Sequence, residues 1–252
     1  MLTLKGRTAC VIGIGAPGVK ELLEAGMNVA IFTHTPDLTD WITEQCGPEL
    51  AKNLMRIDEG RVETDDVLVP GLQQVAERFG GIDVIVIFSG GPGHVKEIED
   101  ITVDEIKEDV PYLVQGAFNF TKRAIPYLEK SKAPRVIYIS TTEAETGGTN
   151  GGLVDALARG AMLSLTYNMA RRLAPKNITV NCISVGPFDK DNMKGWLSIE
   201  DRPDPYQIVD QVPLRRVGHL KDVAAAIHYL ASEEAEMVTG QVLRLNGGLF
   251  MG

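Results

Sequence analysis

Cysteine is scarce in this sequence, and its scarcity excludes a protein held together by disulfides. The chain has three cysteines in 252 residues, Cys10, Cys46 and Cys182. Their number is odd, and two of them lie in apolar stretches typical of buried strands. We therefore interpret all three as reduced thiols of a cytoplasmic protein. No two of them have the spacing of metal ligands and the four histidines are scattered, so we expect no metal site.

Long apolar runs and an excess of basic residues are also missing. No stretch of about 18 apolar residues occurs, so no transmembrane helix is predicted. The first residues, MLTLKGRTACVIG, lack the charged and apolar zones of a signal peptide, which again favours the cytoplasm. Acidic residues outnumber basic ones, 34 to 25, for a net charge of -9. This balance argues against a nucleic-acid partner and leaves a small-molecule substrate as the expected partner.

Short apolar stretches alternate with helical patterns along almost the whole chain. The predicted strands are Thr8–Ile12, Asn28–Phe32, Leu54–Ile57, Val84–Phe88, Arg135–Ser140, Thr179–Ser184 and Gln241–Leu245. Several are continuous apolar runs, as expected for strands buried on both faces. Because the chain has no repeat and no linker, the pattern predicts one α/β domain over residues 1–252, a doubly wound parallel sheet of about seven strands.

Two local signals place helices between the strands. Pro70 suits the first turn of a helix that continues over Gly71–Phe79. Thr102 and Glu105 have the spacing of a capping box. Pro111 then lies inside the helix that follows, or at a kink in it.

The segment from Gly186 to Arg216 is the exception to the regular alternation. It contains four prolines and little periodicity. A long irregular segment after the carboxyl end of a strand is commonly a binding loop, so we predict a substrate-binding lid at 186–216. The alternative is a surface excursion without a role in binding.

A glycine-rich turn follows the first strand. Gly13, Gly15 and Gly18 have the GxGxxG spacing, with a strand before them and helix residues after them. Such glycines let the backbone approach a pyrophosphate at a helix N-terminus, which predicts a dinucleotide site. Tight helix–strand packing around small residues is the alternative. The acidic residue that normally binds the ribose is missing. Thr33, at the end of the second strand, is the candidate cofactor contact at that position.

The stretch 135–167 carries the candidate chemistry. Its apolar strand ends in three hydroxyls, Ser140, Thr141 and Thr142, at the edge where open α/β sheets bind ligands. Asp155 and Arg159 follow one helical turn apart on the next predicted helix, so they share a face. Together with Thr142 they are the candidate catalytic residues. The alternative for this pair is an ordinary salt bridge within the helix.

Several longer stretches together resemble the short-chain dehydrogenase/reductase family from end to end. They are GGIDVIVIFSGG at 80–91, GAFNFTKRAIPYL at 116–128, RVIYIS at 135–140, NITVNCISVGP at 177–187, PLRRVGHLKDVAAAIHYLAS at 213–232 and TGQVLRLNGG at 239–248. The resemblance implies a Rossmann-type sheet, an NAD or NADP cofactor, and cofactor contacts at Gly90 and Gly186. It also implies a homotetramer or homodimer built through the helices around 102–128 and 152–173.

The reactive residues of that family are replaced in this chain. Family members use a Ser, a Tyr thirteen residues later and a Lys four further on, and these positions hold Thr142, Asp155 and Arg159. The family's phenol has its pKa lowered by the Lys, so that it can pass a proton to a carbonyl. Arg159 keeps a positive charge but cannot relay a proton as Lys can. Thr142 can still hydrogen-bond a substrate oxygen. Leu113 replaces a helper Asn.

A narrower similarity links the chain to halohydrin dehalogenases, which share the fold and use Ser, Tyr and Arg. In that group the cofactor site has become a halide pocket. The similarity rests on Arg159, the altered glycine turn, the turn Val185-Gly186-Pro187 and the ending at 247–251. Asp155 departs from this group as well, because the Tyr is the base that opens the halohydrin.

Three functional hypotheses follow. The preferred one is an atypical oxidoreductase that binds a nicotinamide cofactor and acts on a small organic carbonyl or alcohol through Thr142, Asp155 and Arg159. The second is a redox-independent lyase, isomerase or dehalogenase that works in the same cleft. The third is a non-catalytic family member that serves as a subunit partner.

Overall fold

A parallel sheet with helices on both faces forms the molecule. The computed structural model describes residues 4–13, 18–33, 38–58, 64–88, 96–147, 152–187 and 209–252, apart from the side chains of Asp109, Pro111 and Tyr112. Within these ranges the strands are β1 (Thr8–Gly13), β2 (Asn28–Thr33), β3 (Leu54–Asp58), β4 (Val84–Phe88), β5 (Arg135–Thr141), β6 (Thr179–Val185) and β7 (Val242–Leu245). Their order is β3-β2-β1-β4-β5-β6-β7, and all neighbours are parallel.

This order confirms the predicted fold class, a single-domain doubly wound α/β sheet of Rossmann type. All seven predicted strands are present, and the last one begins at Val242 instead of Gln241. The carboxyl ends of all strands lie at one edge, which is where ligands bind in such sheets. Most of the predicted lid, residues 188–208, lies outside the described residues.

Helices of varied length connect the strands. They are α1 (Val19–Glu24), α2 (Leu38–Cys46), α3 (Pro48–Ala51), α4 (Asp65–Phe79), α5 (Val103–Leu128), α6 (Glu143–Thr146), α7 (Leu153–Leu173) and α8 (Leu220–Ala231). Three short 3₁₀ turns lie at Ile98–Asp100, Ala174–Lys176 and Glu233–Ala235. No helix in the described ranges combines the length and the apolar character that crossing a bilayer requires.

The strands separate two apolar layers because successive side chains of a strand point to opposite faces. On one face, residues such as Ile137 and Ile183 pack with α1 and α8. On the other face, residues such as Tyr138 and Cys182 pack with α4, α5 and α7. The Tyr138 hydroxyl lies 2.7 Å from the Thr121 hydroxyl of α5, so this fully buried phenol keeps a hydrogen bond.

The capping box at the start of α5 is confirmed, and the prediction for Pro70 is wrong. The Thr102 hydroxyl accepts a hydrogen bond from the Glu105 amide at 3.2 Å, and Glu105 accepts one from the Thr102 amide at 2.8 Å. Pro70 lies inside α4, which begins at Asp65. Asp65 and Asp66 occupy the first turn, where carboxylates favour the helix dipole. The helix therefore starts before the proline and continues past it, as α5 continues through Pro111.

Two arginines, the half-buried Arg7 and the buried Arg135, lie at the amino edge of the sheet. Arg7 donates hydrogen bonds to the carbonyls of Ala231 and Ala133. Arg135 donates to the carbonyl of Ser232 through Nε at 3.1 Å and Nη2 at 3.0 Å. Burial lowers the pKa of both guanidinium groups. Cations suit this position because α8 ends here, where its carbonyls and helix dipole are negative.

All three cysteines are free thiols, as predicted. Cys10 and Cys182 are buried and Cys46 is half-buried. Burial raises the pKa of the Cys182 thiol to about 12, and it also raises the pKa of Cys10. The two buried thiols therefore behave as small apolar side chains of the core.

Candidate active site

The carboxyl ends of β5 and β6 position the candidate active site. The two strands pair without a break from Arg135↔Thr179 to Thr141↔Val185. One more main-chain bond, from the Thr142 amide to the Val185 carbonyl at 2.9 Å, extends the pairing into the turn after β5. The Ser140 hydroxyl donates to the Arg159 carbonyl at 3.0 Å, which fixes the start of α7 against β5. Thr142 and the first turns of α7 therefore share one edge of the sheet.

Asp155 and Arg159 form the ion pair expected from their spacing. Arg159 Nε lies 3.3 Å from Asp155 Oδ1, and the side chains are only 5% and 12% exposed. The guanidinium carbon also lies 5.6 Å from the centre of the Phe88 ring at the end of β4. The pair is thus nearly buried instead of lying on an exposed helix face. It brings a positive charge to the gap between the ends of β4 and β5.

The Thr142 hydroxyl is buried and unsatisfied. Thr142 is 3% exposed, and its Oγ1 has no hydrogen-bond partner in the structure as described. The residue precedes α6 without capping it, since its side chain bonds to no amide of the first turn. A buried hydroxyl without a partner costs free energy, and such groups occur where a ligand completes the bonding. The neighbouring Thr141 hydroxyl is in the same condition.

The glycines predicted to contact a cofactor allow close approaches of the backbone. A Cβ on Gly13 would lie 1.6 Å from the Phe88 carbonyl oxygen, so the ends of β1 and β4 can approach only with glycine there. Gly18 has a φ of 80° and precedes α1, a conformation that favours glycine. A Cβ on Gly186 would lie 2.7 Å from Asn246 Cα. Packing alone therefore accounts for Gly13 and Gly186.

Of the other predicted cofactor contacts, Thr33 lies within the described residues, whereas two glycines lie outside them. Thr33 is buried at the end of β2, on the same edge of the sheet as Gly13 and Gly186. Gly15 and Gly90 lie outside the described residues. Among the side chains described, no group of three or more His, Cys, Asp or Glu could hold a metal ion.

An ionic cluster near Thr142 is not predictable from local sequence patterns. Glu145 of α6 accepts hydrogen bonds from Arg244 of β7, and it also accepts one from the Ser184 hydroxyl of β6. Glu145 and Arg244 are 99 positions apart, so no local pattern joins them. One signal was available, because Arg244 interrupts a short apolar strand, and a charged residue there requires a partner of opposite charge.

We predict that Asp155 and Arg159 are strongly coupled in stability. In a double-mutant cycle with Asp155→Asn and Arg159→Met, unfolding in urea should give a coupling free energy of ~2 kcal/mol, because either single variant leaves a buried polar or charged group unpaired. Lys20 and Glu24 provide the matched control, since they form an exposed i,i+4 pair with side chains 42% and 47% exposed. Their coupling should be ~0.3–0.5 kcal/mol. Equal couplings in the two cycles would contradict the prediction.

Comparisons with known proteins agree with this architecture. A family model described as enoyl-(acyl carrier protein) reductase matches residues 9–250. The 3-oxoacyl-(acyl-carrier-protein) reductase FabG of Staphylococcus epidermidis is 28% identical over 243 residues, which cover 95% of this chain and 95% of that protein. The corresponding reductase of Staphylococcus aureus is 28% identical over 241 residues, with 95% and 94% covered.

Solved structures show the same fold over the whole length. A short-chain dehydrogenase/reductase of Serratia marcescens superposes with a TM-score of 0.85 at 25% identity, covering 98% of each chain. A 3-ketoacyl-(acyl-carrier-protein) reductase of Brucella melitensis, solved in complex with NADH, superposes with a TM-score of 0.84 at 20% identity, covering 99% of this chain and 100% of that one. The family match, the strand order and the end-to-end superposition agree: the chain belongs to the short-chain dehydrogenase/reductase family of NAD(P)-dependent oxidoreductases.

Proposed function

We propose that this chain is an atypical nicotinamide-dependent oxidoreductase in which Thr142, Asp155 and Arg159 act on a small organic carbonyl or alcohol. The observation that carries the proposal is the buried, unpartnered hydroxyl of Thr142. It lies on the same sheet edge as a nearly buried guanidinium. A hydrogen-bond donor and a positive charge are the groups that stabilise negative charge developing on a substrate oxygen.

NAD or NADP is the cofactor that we propose, and the described residues are compatible with either. Gly13 and Gly18 lie at the two ends of the GxGxxG turn after β1, whose glycines let a backbone approach a pyrophosphate. Thr33 and Gly186 lie at the same edge, and Gly15 and Gly90 complete the proposed set. Thr33 offers a neutral hydroxyl at the end of β2. A carboxylate there would favour the ribose hydroxyls of NAD, and an arginine nearby would favour the phosphate of NADP.

The chemistry divides between cofactor and protein. When bound, a nicotinamide supplies a hydride to the carbonyl carbon or accepts one from the alcohol. The Thr142 hydroxyl donates a hydrogen bond to the substrate oxygen, and Arg159 stabilises the negative charge that develops there. Arg159 cannot release a proton, and a carboxylate that is paired with it only accepts hydrogen bonds. In this proposal the proton therefore comes from solvent or from the substrate itself.

The relatives suggest the class of carbonyl to test first. The staphylococcal relatives named above are reductases of 3-oxoacyl groups carried on acyl carrier protein. A 3-oxoacyl thioester is accordingly the first candidate substrate for this chain. The redox-independent activity suggested by the resemblance to halohydrin dehalogenases stays a hypothesis based on sequence alone.

Exposed apolar side chains support a homodimer or homotetramer. Phe118 of α5 is 44% exposed, and Leu157 and Tyr167 of α7 are 45% and 47% exposed. Leu153, at the start of α7, is 40% exposed. Large apolar side chains gathered on two neighbouring helices are typical of surfaces that a partner covers. We propose that a second copy of the chain covers them.

We also propose that the protein acts in the cytoplasm, where its three thiols stay reduced.

Nicotinamide binding is the first test. We expect NADH or NADPH to show enhanced, blue-shifted fluorescence on titration with the protein, because the bound ring is shielded from water. Unlabelled NAD or NADP should displace it. If neither nucleotide binds at millimolar concentration, or if turnover of a substrate proceeds without nicotinamide, the proposed oxidoreductase function is wrong.

Thr142→Val separates the role of this hydroxyl in catalysis from any role in folding. The substitution exchanges a hydroxyl for a methyl group of similar size, and the hydroxyl has no partner among the described residues. Stability in urea should be unchanged or raised by ~1 kcal/mol, whereas kcat for the 3-oxoacyl thioester should fall by about a hundredfold. Thr179→Val is the matched control, because Thr179 also has a buried, unpartnered hydroxyl but lies at the amino end of β6. The control should keep full activity. Equal activity of the two variants would contradict the assignment of Thr142.

Charge on the apolar surface of α5 and α7 should dissociate the oligomer. We expect the double variant Phe118→Glu and Tyr167→Glu to elute as a monomer in size-exclusion chromatography with light scattering, because burying two carboxylates at an interface is costly. Val69→Glu, at an exposed apolar position of α4, should keep the wild-type mass. A monomeric wild-type protein would contradict the proposal.

A further inference from the structure

A cluster of Glu145, Ser184 and Arg244 joins three elements at the carboxyl edge. Glu145 Oε1 accepts from Arg244 Nε at 2.9 Å and from Nη2 at 2.6 Å. Glu145 Oε2 accepts from the Ser184 hydroxyl at 2.9 Å. The Glu145 side chain is 8% exposed and that of Arg244 is 27% exposed. Both carboxylate oxygens are thus occupied in a mostly buried setting, where hydrogen bonds between charged groups are strongest.

The cluster lies in register with the strand ends that build the site. Ser184 pairs with Ser140 of β5 on one side and with Arg244 of β7 on the other. Arg244 lies on β7, and its side chain extends past β6 to contact Glu145 of α6. Its guanidinium carbon also lies 5.3 Å from the centre of the Phe250 ring. One arginine consequently contacts both the helix after β5 and the C-terminal segment.

The C-terminal segment 246–252 is held by its own hydrogen bonds beside the end of β7. The Asn246 side chain donates to the Phe250 carbonyl at 2.9 Å and accepts from the Gly248 amide at 3.0 Å. The Gly186 amide donates to the Leu245 carbonyl at 2.9 Å. Gly186 is a proposed cofactor contact, so the segment and the cofactor edge share this turn.

The helix α6 depends on such an anchor. It has four residues, and a helix of one turn is unstable without tertiary contacts. Its hydrogen bonds to Thr142 are local and reach the carbonyl of that residue: the amides of Glu145 and Thr146 donate to it at 3.0 Å each, and the Thr146 hydroxyl donates to it at 3.1 Å. The Thr142 main chain is held to β6 by its bond to the Val185 carbonyl, and the Glu145 side chain holds the short helix that follows it.

We propose that Glu145 and Arg244 are positioning residues, which orient the Thr142 hydroxyl toward the substrate oxygen by fixing α6 to β6, β7 and the C-terminal segment. The inference rests on the proposed function of Thr142. Glu145 is not a general base in this scheme, because Arg244 and Ser184 occupy both of its oxygens. The ion pair acts through the helix that follows Thr142, whereas Gly186 is held by a main-chain bond to the Leu245 carbonyl.

Arg244→Met tests the inference with two independent measurements. Hydrogen exchange followed by mass spectrometry should show amides of 143–147 and 246–252 exchanging at least about tenfold faster, because both segments lose their shared anchor. Reduction of the 3-oxoacyl thioester should show kcat lowered by about tenfold to a hundredfold, while the dissociation constant of NADH or NADPH stays within about twofold of wild type. Arg244→Lys should recover part of both effects, since it keeps the charge but loses the paired geometry.

Lys176→Met is the matched control. Lys176 pairs with Glu129 between the end of α5 and a 3₁₀ turn, at the opposite edge of the sheet. In this variant, the rates of hydrogen exchange at 143–147 and 246–252 and the value of kcat should all match those of the wild type. Unchanged exchange at 143–147 in a folded Arg244→Met or Arg244→Lys protein would overturn the positioning inference, whatever the activity. Absence of nicotinamide binding by the wild type would instead overturn the proposed function, and the exchange measurement would still decide whether Arg244 anchors α6.

Discussion

The pairing of β5 with β6 is the constraint on which the candidate site depends. The two strands are in register over their full length, from Arg135↔Thr179 to Thr141↔Val185. Because both are buried on both faces, neither can shift without displacing apolar side chains from the core. The main-chain hydrogen bond from the Thr142 amide to the Val185 carbonyl extends this pairing one residue beyond the end of β5. The candidate hydroxyl of Thr142 is thus attached directly to the paired ends of β5 and β6.

The site proposed at this edge differs from the one that the family uses. A phenol and an ammonium form a path for a proton, whereas Asp155 and Arg159 form a fixed pair of opposite charges. Such a pair can stabilise charge on a substrate without exchanging protons. The contact of Arg159 with Phe88 places the guanidinium beside the end of β4. In the proposed reaction the protein contributes electrostatics and orientation, and the proton follows another route.

The sheet was predictable from sequence because its strands are continuous apolar runs separated by helical patterns. The close match of all seven strands reflects that simple rule. The start of α4 is predicted wrongly, because Pro70 suits a first helical turn whereas the acidic pair at 65–66 begins the helix. Asp155 and Arg159 could be placed on one face from spacing alone. Glu145 and Arg244 could not be joined, since their contact depends on β7 lying beside β6, which only the sheet order reveals.

The two arginines at the amino edge have a consequence for how such a protein can change. Arg7 and Arg135 are bonded to main-chain carbonyls, which every residue type provides, so this end of the domain does not depend on the identity of the side chains that supply those oxygens. At the carboxyl edge, by contrast, the candidate chemistry depends on which side chains stand at Thr142, Asp155 and Arg159. Substitutions at these three positions therefore leave the contacts that hold the amino edge intact.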